Sequence, residues 1–396
     1  LNLFYLLFLF FLCFVSHSAA RQSQPEFRRV CYFTNWSCDL LEPEAHFCIR
    51  HIDPTLCTHV VYAFAQIDPV ALTLIPTRRD DEDNDGGRYS RFNELVKTES
   101  ASTKTLLSIG GLNQTEAPFT AVAGTNHSRT LFAHRSSRSL RQWGFDGLDV
   151  DWEYPQSEDR QLLTSLLMAL RAEFKAEARR SEQGELILSV AAPVSKEMVK
   201  AGYDIPGIAK QVDMINLMAY DFHGAWSDVT GVNSPLFPRR SDPRFSPEHS
   251  VEWSVNYWIS NGAAASKINL GIAGYGQSRE SPIMSTGVGS AAEGPGRPGR
   301  LRHLAGQLSY PEICELIQHG GQEMWDAEQK VPYAISGDQW VGYDNGKSIA
   351  EKVKWAVTRG LGGVMFWSLD LDDFTGGYCG AGRFPLLSAI NRTVSE

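Results

Sequence analysis

Eight short apolar runs recur along the chain with helix-like stretches between them, and few folds accommodate that rhythm. The runs are Arg29–Thr34, His59–Ala65, Thr105–Ile109, Gly147–Trp152, Leu186–Ala191, Met214–Ala219, Ile268–Ile272 and Gly363–Trp367. Their Val, Ile, Leu and aromatic content is that of buried strands. The stretches Ser128–Trp143, Arg160–Arg179, Pro247–Ser260 and Ser348–Arg359 instead repeat apolar residues at helical period. Strands alternating with helices build parallel sheets, and eight of them close into a (β/α)8 TIM barrel, which carries its functional groups at the C-terminal ends of the strands.

The rhythm breaks once, between the seventh and eighth runs. Pro/Gly/Ser-rich sequence from Ser281 to Arg300 is followed by strand-like Val331–Ile335 and Gln339–Tyr343. Trp325, Tyr333 and Trp340 need a core of their own, so the segment reads as a small α+β insertion beside the barrel mouth rather than a loop. The expected organisation is a leader over 1–20, barrel over 21–275, insertion over 276–345 and barrel again over 346–396.

The leader rests on the apolar run Leu3–Val15, too short to span a bilayer and followed by the small residues Ser16–Ala20 of a signal-peptidase site. Its removal near Arg21 takes Cys13 with it. Six cysteines remain (Cys31, Cys38, Cys48, Cys57, Cys314 and Cys379), an even count that favours disulfides over metal ligands and leaves fifteen pairings open. Asn-x-Ser/Thr sequons at Asn35, Asn113, Asn126 and Asn391 agree with secretion. A net charge of −9 with no Lys/Arg stripe argues against a nucleic-acid partner. The expectation is a secreted, extracellular monomer with no membrane segment after leader cleavage, no metal and no organic cofactor, acting on a neutral polymer.

The fourth run carries the chemistry. Side chains alternate faces along a strand, so Asp149, Asp151 and Glu153 project to one side while Leu148, Val150 and Trp152 project to the other. In a barrel strand the apolar set packs on the helices and the three carboxyls climb the lumen toward its C-terminal mouth. Clustered, buried carboxyls raise one another's pKa, which suits a general acid working near neutral pH. A solvated acidic face would not alternate with Leu, Val and Trp, and a calcium loop would place Gly and Asn at its turn positions.

The stretch Asp146–Pro155 resembles the DxxDxDxE signature of family 18 glycoside hydrolases, and the chain is similar to animal chitinases over essentially all of its length past the leader. Supporting motifs fall on the other strands in order: Cys31–Trp36, Tyr62–Ala65, Leu107–Gly111, Asn216–Gly224 and Gly362–Asp370. The resemblance implies a chitinase that hydrolyses β-1,4 links between N-acetylglucosamine units in chitin or chitooligosaccharides, with retention and with the substrate's own N-acetyl oxygen as nucleophile. It makes Glu153 the proton donor and later the base. Asp151 orients the acetamido group, Tyr220 hydrogen-bonds the attacking carbonyl, Asp149 sets the charge of Asp151, and Asp146 is structural support. Trp367 becomes the floor beside the cleaved bond. Tyr32, Trp36, Phe64, Gly110, Gly111, Asn113, Tyr154, Met218, Asp221, Trp226 and Tyr275 match further cleft positions. The resemblance also pairs Cys31 with Cys57 and Cys314 with Cys379, leaving Cys38 with Cys48.

Some positions depart from the pattern. Leu112 stands where the family usually has Trp after Gly-Gly, Asn113 begins a sequon beside the cleft, Asn35 begins another next to Trp36, and Gln277 replaces a common Arg. A chitin-binding lectin of the same fold is therefore the main rival, although such relatives typically lack the proton donor that Glu153 supplies. An endoglycosidase acting on N-glycans shares the acidic signature, but the Met218–Gly224 run and the insertion resemble chitinases. A growth-factor-like or structural role is compatible with the sequence only as an addition.

Overall fold

The computed structural model describes residues 26–82, 86–282 and 287–396. The expected leader lies outside the described residues. Eight parallel strands form the barrel: β1 (Arg28–Thr34), β2 (His59–Asp68), β3 (Lys104–Gly110), β4 (Gly147–Asp151), β5 (Ile187–Ala192), β6 (Met214–Leu217), β7 (Ile268–Ala273) and β8 (Gly363–Trp367). Each pairs with the next, and β8 closes on β1 through the register Arg28↔Gly363 to Cys31↔Phe366. All eight strands fall on the runs that the sequence singles out.

The strand period sorts the side chains into two cores. On β1, Cys31 and Phe33 join the large outer core between strands and helices, while Val30 and Tyr32 join Val61, Leu106, Met214 and Met365 inside the barrel. On β4, Leu148 and Val150 point outward into that same outer core, as does Trp152, whose ring stacks on Phe119 at 4.9 Å. The alternation therefore delivers Asp149 and Asp151 to the lumen. The longest helix, Arg160–Ser181, seats Leu163, Leu166, Leu167, Leu170 and Phe174 against the sheet at helical spacing. Among the described residues no helix is long and apolar enough to cross a membrane.

Between β7 and β8 lies a small antiparallel sheet. Its strands run in the order Gly294–Pro295, Tyr275–Glu280, Gln339–Gly342, Val331–Ser336 and Gln322–Asp326, with Gln307–Ser309 also on Tyr275–Glu280 and the helix Tyr310–Gln318 packed alongside. Trp340 is fully buried and stacks on Tyr333 at 5.6 Å, while Lys347 lies over the Trp325 ring at 3.7 Å. The expected strands Val331–Ile335 and Gln339–Tyr343 are present. Others were not legible in the sequence: Thr73–Pro76, antiparallel on β2, and within the small sheet Tyr275–Glu280, Gln307–Ser309 and Gln322–Asp326.

Three disulfides staple the periphery. Cys31–Cys57 ties β1 to the loop before β2, Cys38–Cys48 closes a short loop after β1, and Cys314–Cys379 joins the insertion helix to the segment that follows β8.

Candidate active site

At the base of the site, four strands contribute to one carboxylate. Asp149, fully buried, accepts hydrogen bonds on one oxygen from the hydroxyls of Tyr32 (2.8 Å) and Ser108 (2.7 Å), and on the other from the Ser189 hydroxyl (2.5 Å) and the Asn216 amide (3.3 Å). Asn216 is itself oriented by Asn269, whose amide donates to it at 2.8 Å. Burial raises the pKa of Asp149, and these four donors oppose the rise by favouring the anion.

One step higher, Asp151 is also buried, and its Oδ1 has no hydrogen-bond partner among the described residues. Burial first, then the like charges of Glu153 above and Asp149 below, push its pKa well above the ordinary aspartate value. Its charged form is thereby penalised, and one of its oxygens is left without a partner. Glu153 tops the ladder, half-buried. Its pKa is raised by burial and by Asp221 across the cleft, against a hydrogen bond from the Tyr154 hydroxyl that lowers it. The three carboxyls thus differ in exposure and in partners, and so in how readily each ionises.

The opposite wall comes from the segment after β6. Tyr220 is buried with its hydroxyl 3.8 Å from the Met365 sulfur. Asp221, open to solvent at the rim, adopts a left-handed backbone (φ 58°) and accepts on one oxygen from the Tyr275 hydroxyl and the Gln277 amide, each at 2.7 Å. Gln277, one of the positions where the sequence departs from the family pattern, thus engages Asp221 directly. Asn233 braces this turn, accepting from the Asp221 N–H at 2.8 Å and donating to the Tyr275 carbonyl at 3.0 Å.

Aromatic rings make the floor. Trp367, at the end of β8, stacks on Phe64 at 5.8 Å and tilts against Tyr32 at 5.4 Å, and Trp36 stacks on Phe64 at 6.0 Å. The Gly110–Gly111 pair explains itself by closeness: a Cβ on Gly110 would lie 1.9 Å from the Asp151 carbonyl oxygen, and one on Gly111 would lie 2.6 Å from the Phe64 ring. Both have positive φ, so the loop after β3 can pass against β4 and the floor only with glycine there.

Asp151, Glu153, Tyr154, Met218, Tyr220, Asp221, Trp226, Tyr275 and Trp367 all line one cavity of about 650 Å³, joined by Leu112. Tyr32, Trp36 and Phe64 do not line it; each makes a ring contact with Trp367, which does. Asn113 is exposed beside it and does not line it. Asp146 lies just before β4 begins, at the end of the strand away from the cavity, where it accepts from the Thr105 N–H (2.8 Å) and pairs with Lys97 (3.4 Å). Sequence reasoning did not select Lys196, Met198, Phe222, His249 or Gln307, which also line the cavity. Lys196 and Met198 follow the C-terminal end of β5, where barrel geometry alone gives a signal; the others carry no periodic pattern.

The model of the glycosyl hydrolases family 18 matches residues 28–372. The chain belongs to that family. It is 39% identical to chitotriosidase-1 of Mus musculus, an alignment covering 92% of this chain and 78% of that protein, and 37% identical to chitinase-3-like protein 2 of Homo sapiens, covering 95% and 94%. Among solved structures, human YKL-39, described as a pseudo-chitinase with retained chitooligosaccharide binding properties, superposes with a TM-score of 0.88 at 37% identity over 94% of this chain and all of that one. Family 18 relatives thus include both chitinases and a protein that binds chitooligosaccharides as a pseudo-chitinase.

Proposed function

We propose that this family 18 protein is a secreted chitinase that hydrolyses β-1,4 links of chitin and chitooligosaccharides with retention, by substrate assistance. The observation that carries this reading is Glu153, a carboxyl of raised pKa standing over a buried acid ladder and opening on an aromatic-floored cleft.

In this reading a pyranose ring stacks on Trp367, and Glu153, protonated, gives its proton to the glycosidic oxygen as the bond to the anomeric carbon breaks. The acetamido oxygen of the same sugar attacks that carbon and forms an oxazolinium ion. Asp151 offers its unpaired Oδ1 to the acetamido N–H and stabilises the positive charge that develops there. Asp149, steadied by four donors, sets how readily Asp151 ionises. Tyr220 orients the attacking carbonyl. Glu153, now a carboxylate, removes a proton from the incoming water as the water oxygen bonds to the anomeric carbon and the bond to the acetamido oxygen breaks, which restores the acetamido group and returns Glu153 to its starting form. The test is hydrolysis of a fluorogenic chitobioside or chitotrioside by the mature protein. Tight oligosaccharide binding without turnover would instead make it a chitin-binding lectin.

Two predictions follow from this geometry. Since Glu153 must start protonated, activity is lost as pH rises through its folded pKa, which lies above the ordinary glutamate value. Asp221→Asn removes a like charge and should move the alkaline limb of the kcat/KM profile to lower pH; Tyr154→Phe removes a bond that favours the anion and should move it to higher pH. Shifts in the same direction would contradict the assigned partners. Separately, Trp367→Ala should weaken binding of chitooligosaccharides by about 1.4 kcal/mol, about tenfold, read as KM or by calorimetry.

A further inference from the structure

The sequons of this chain differ sharply in what the fold leaves available. Asn35 is buried, and its side-chain amide donates to the Thr77 hydroxyl at 2.6 Å and the Phe64 carbonyl at 3.3 Å. The Asn391 amide, half-buried, donates to the Leu56 carbonyl at 2.9 Å and the Leu387 carbonyl at 3.0 Å. A side-chain amide has two hydrogens, and an N-linked sugar replaces one of them. At Asn35 and Asn391 both are committed inside the fold. Asn113 and Asn126 are exposed, and neither side chain makes a hydrogen bond among the described residues.

Asn113 holds the more consequential place. It sits in the tight turn after β3, where the Gln114 N–H donates to the Gly111 carbonyl at 3.0 Å, one residue past Leu112, which is 77% exposed and lines the cleft. The turn cannot swing away, because Gly110 and Gly111 are wedged against Asp151 and Phe64. Asn126, by contrast, opens the outer-layer helix Asn126–Trp143 and does not line the cleft.

We propose that Asn113 carries an N-linked glycan that stands on the lip of the cleft and restricts entry of long or insoluble chitin, while oligosaccharides short enough to fit within the cavity enter freely. The restriction, though not the modification, rests on the function proposed above. Short substrates need only the groove; a polymer must cross its rim, where a bulky, hydrated oligosaccharide is fixed in place.

The test uses the full chain secreted from a eukaryotic host. Mass spectrometry of its glycopeptides should find Asn113 and Asn126 occupied and Asn35 and Asn391 bare. Thr115→Ala erases the sequon and leaves Asn113 in place, whereas Thr115→Ser keeps it. Thr115 is exposed and its side chain makes no capping bond to the helix Glu116–Ala123, so either change leaves the fold intact. The ratio of colloidal-chitin turnover to chitotrioside turnover should rise severalfold in Thr115→Ala and remain at the wild-type value in Thr115→Ser. If no form hydrolyses chitin, the function proposed above fails, and the same ratio is read as retention on chitin beads against affinity for chitotetraose. An empty Asn113, an occupied Asn35 in the native protein, or a ratio unmoved by Thr115→Ala would overturn the proposal.

Discussion

Glu153→Gln is expected to lower kcat/KM on a fluorogenic chitotrioside by about 10²- to 10⁴-fold, the usual contribution of a positioned proton donor. The amide has nearly the volume and shape of the carboxyl, so the cavity, the aromatic floor and the Asp149 network stay in place. It has no acidic proton to give to the leaving oxygen and cannot activate water afterwards. Binding should therefore survive: the affinity for chitotetraose, measured by calorimetry, should match that of the wild type. A variant that turns over at the wild-type rate would remove Glu153 from the reaction. A variant that loses turnover and binding together would point to a collapsed site rather than a missing proton.

Asp151→Asn is expected to cost about 10²- to 10³-fold in kcat, comparable with the removal of one preorganised electrostatic partner from a buried site. Asp151 has an unsatisfied Oδ1 and is burdened by like charges on both sides. Such an arrangement destabilises the resting anion and is relieved when positive charge develops on the acetamido group beside it. An asparagine fills the same space and can still meet the acetamido N–H, yet it has no negative charge to set against the oxazolinium ion. The loss should thus fall on kcat with KM nearly unchanged. A rise in KM with kcat preserved would make Asp151 a ground-state binding group instead.

The parts of the molecule that were legible in the sequence are those governed by a period. Buried parallel strands are apolar on both faces, so all eight barrel strands stood out, and the same alternation on β4 separated its acids from Leu148, Val150 and Trp152. Short or polar strands did not stand out, even where the partner is a near neighbour in sequence, as for Thr73–Pro76 on β2 and Gln322–Asp326 on Val331–Ser336. Tyr275–Glu280 reads as a polar loop, and it is polar for a reason: Gln277 reaches Asp221, and Arg279 donates to the Gly224 carbonyl at 3.1 Å, so the strand spends its side chains cross-linking the wall of the cleft. Gln307–Ser309 and Gln322–Asp326 are short and exist only through their pairing. The surroundings of Asp149 show the same limit. Ser108, Ser189 and Asn216 are unremarkable on their own strands, and only closure of the barrel brings them to one carboxylate. Met198, on the short helix Lys196–Gly202, and His249, in a loop, belong to no periodic pattern and were reached through the structure.

The most direct test of the acid ladder and its substrate-assisted chemistry is the anomeric configuration of the first product. Proton NMR of the wild-type protein acting on chitotetraose should show the β anomer of the newly formed reducing end accumulating first, with the α anomer appearing only by later mutarotation. An α anomer formed first would mean direct attack by water and would contradict the account, as would the absence of any cleavage.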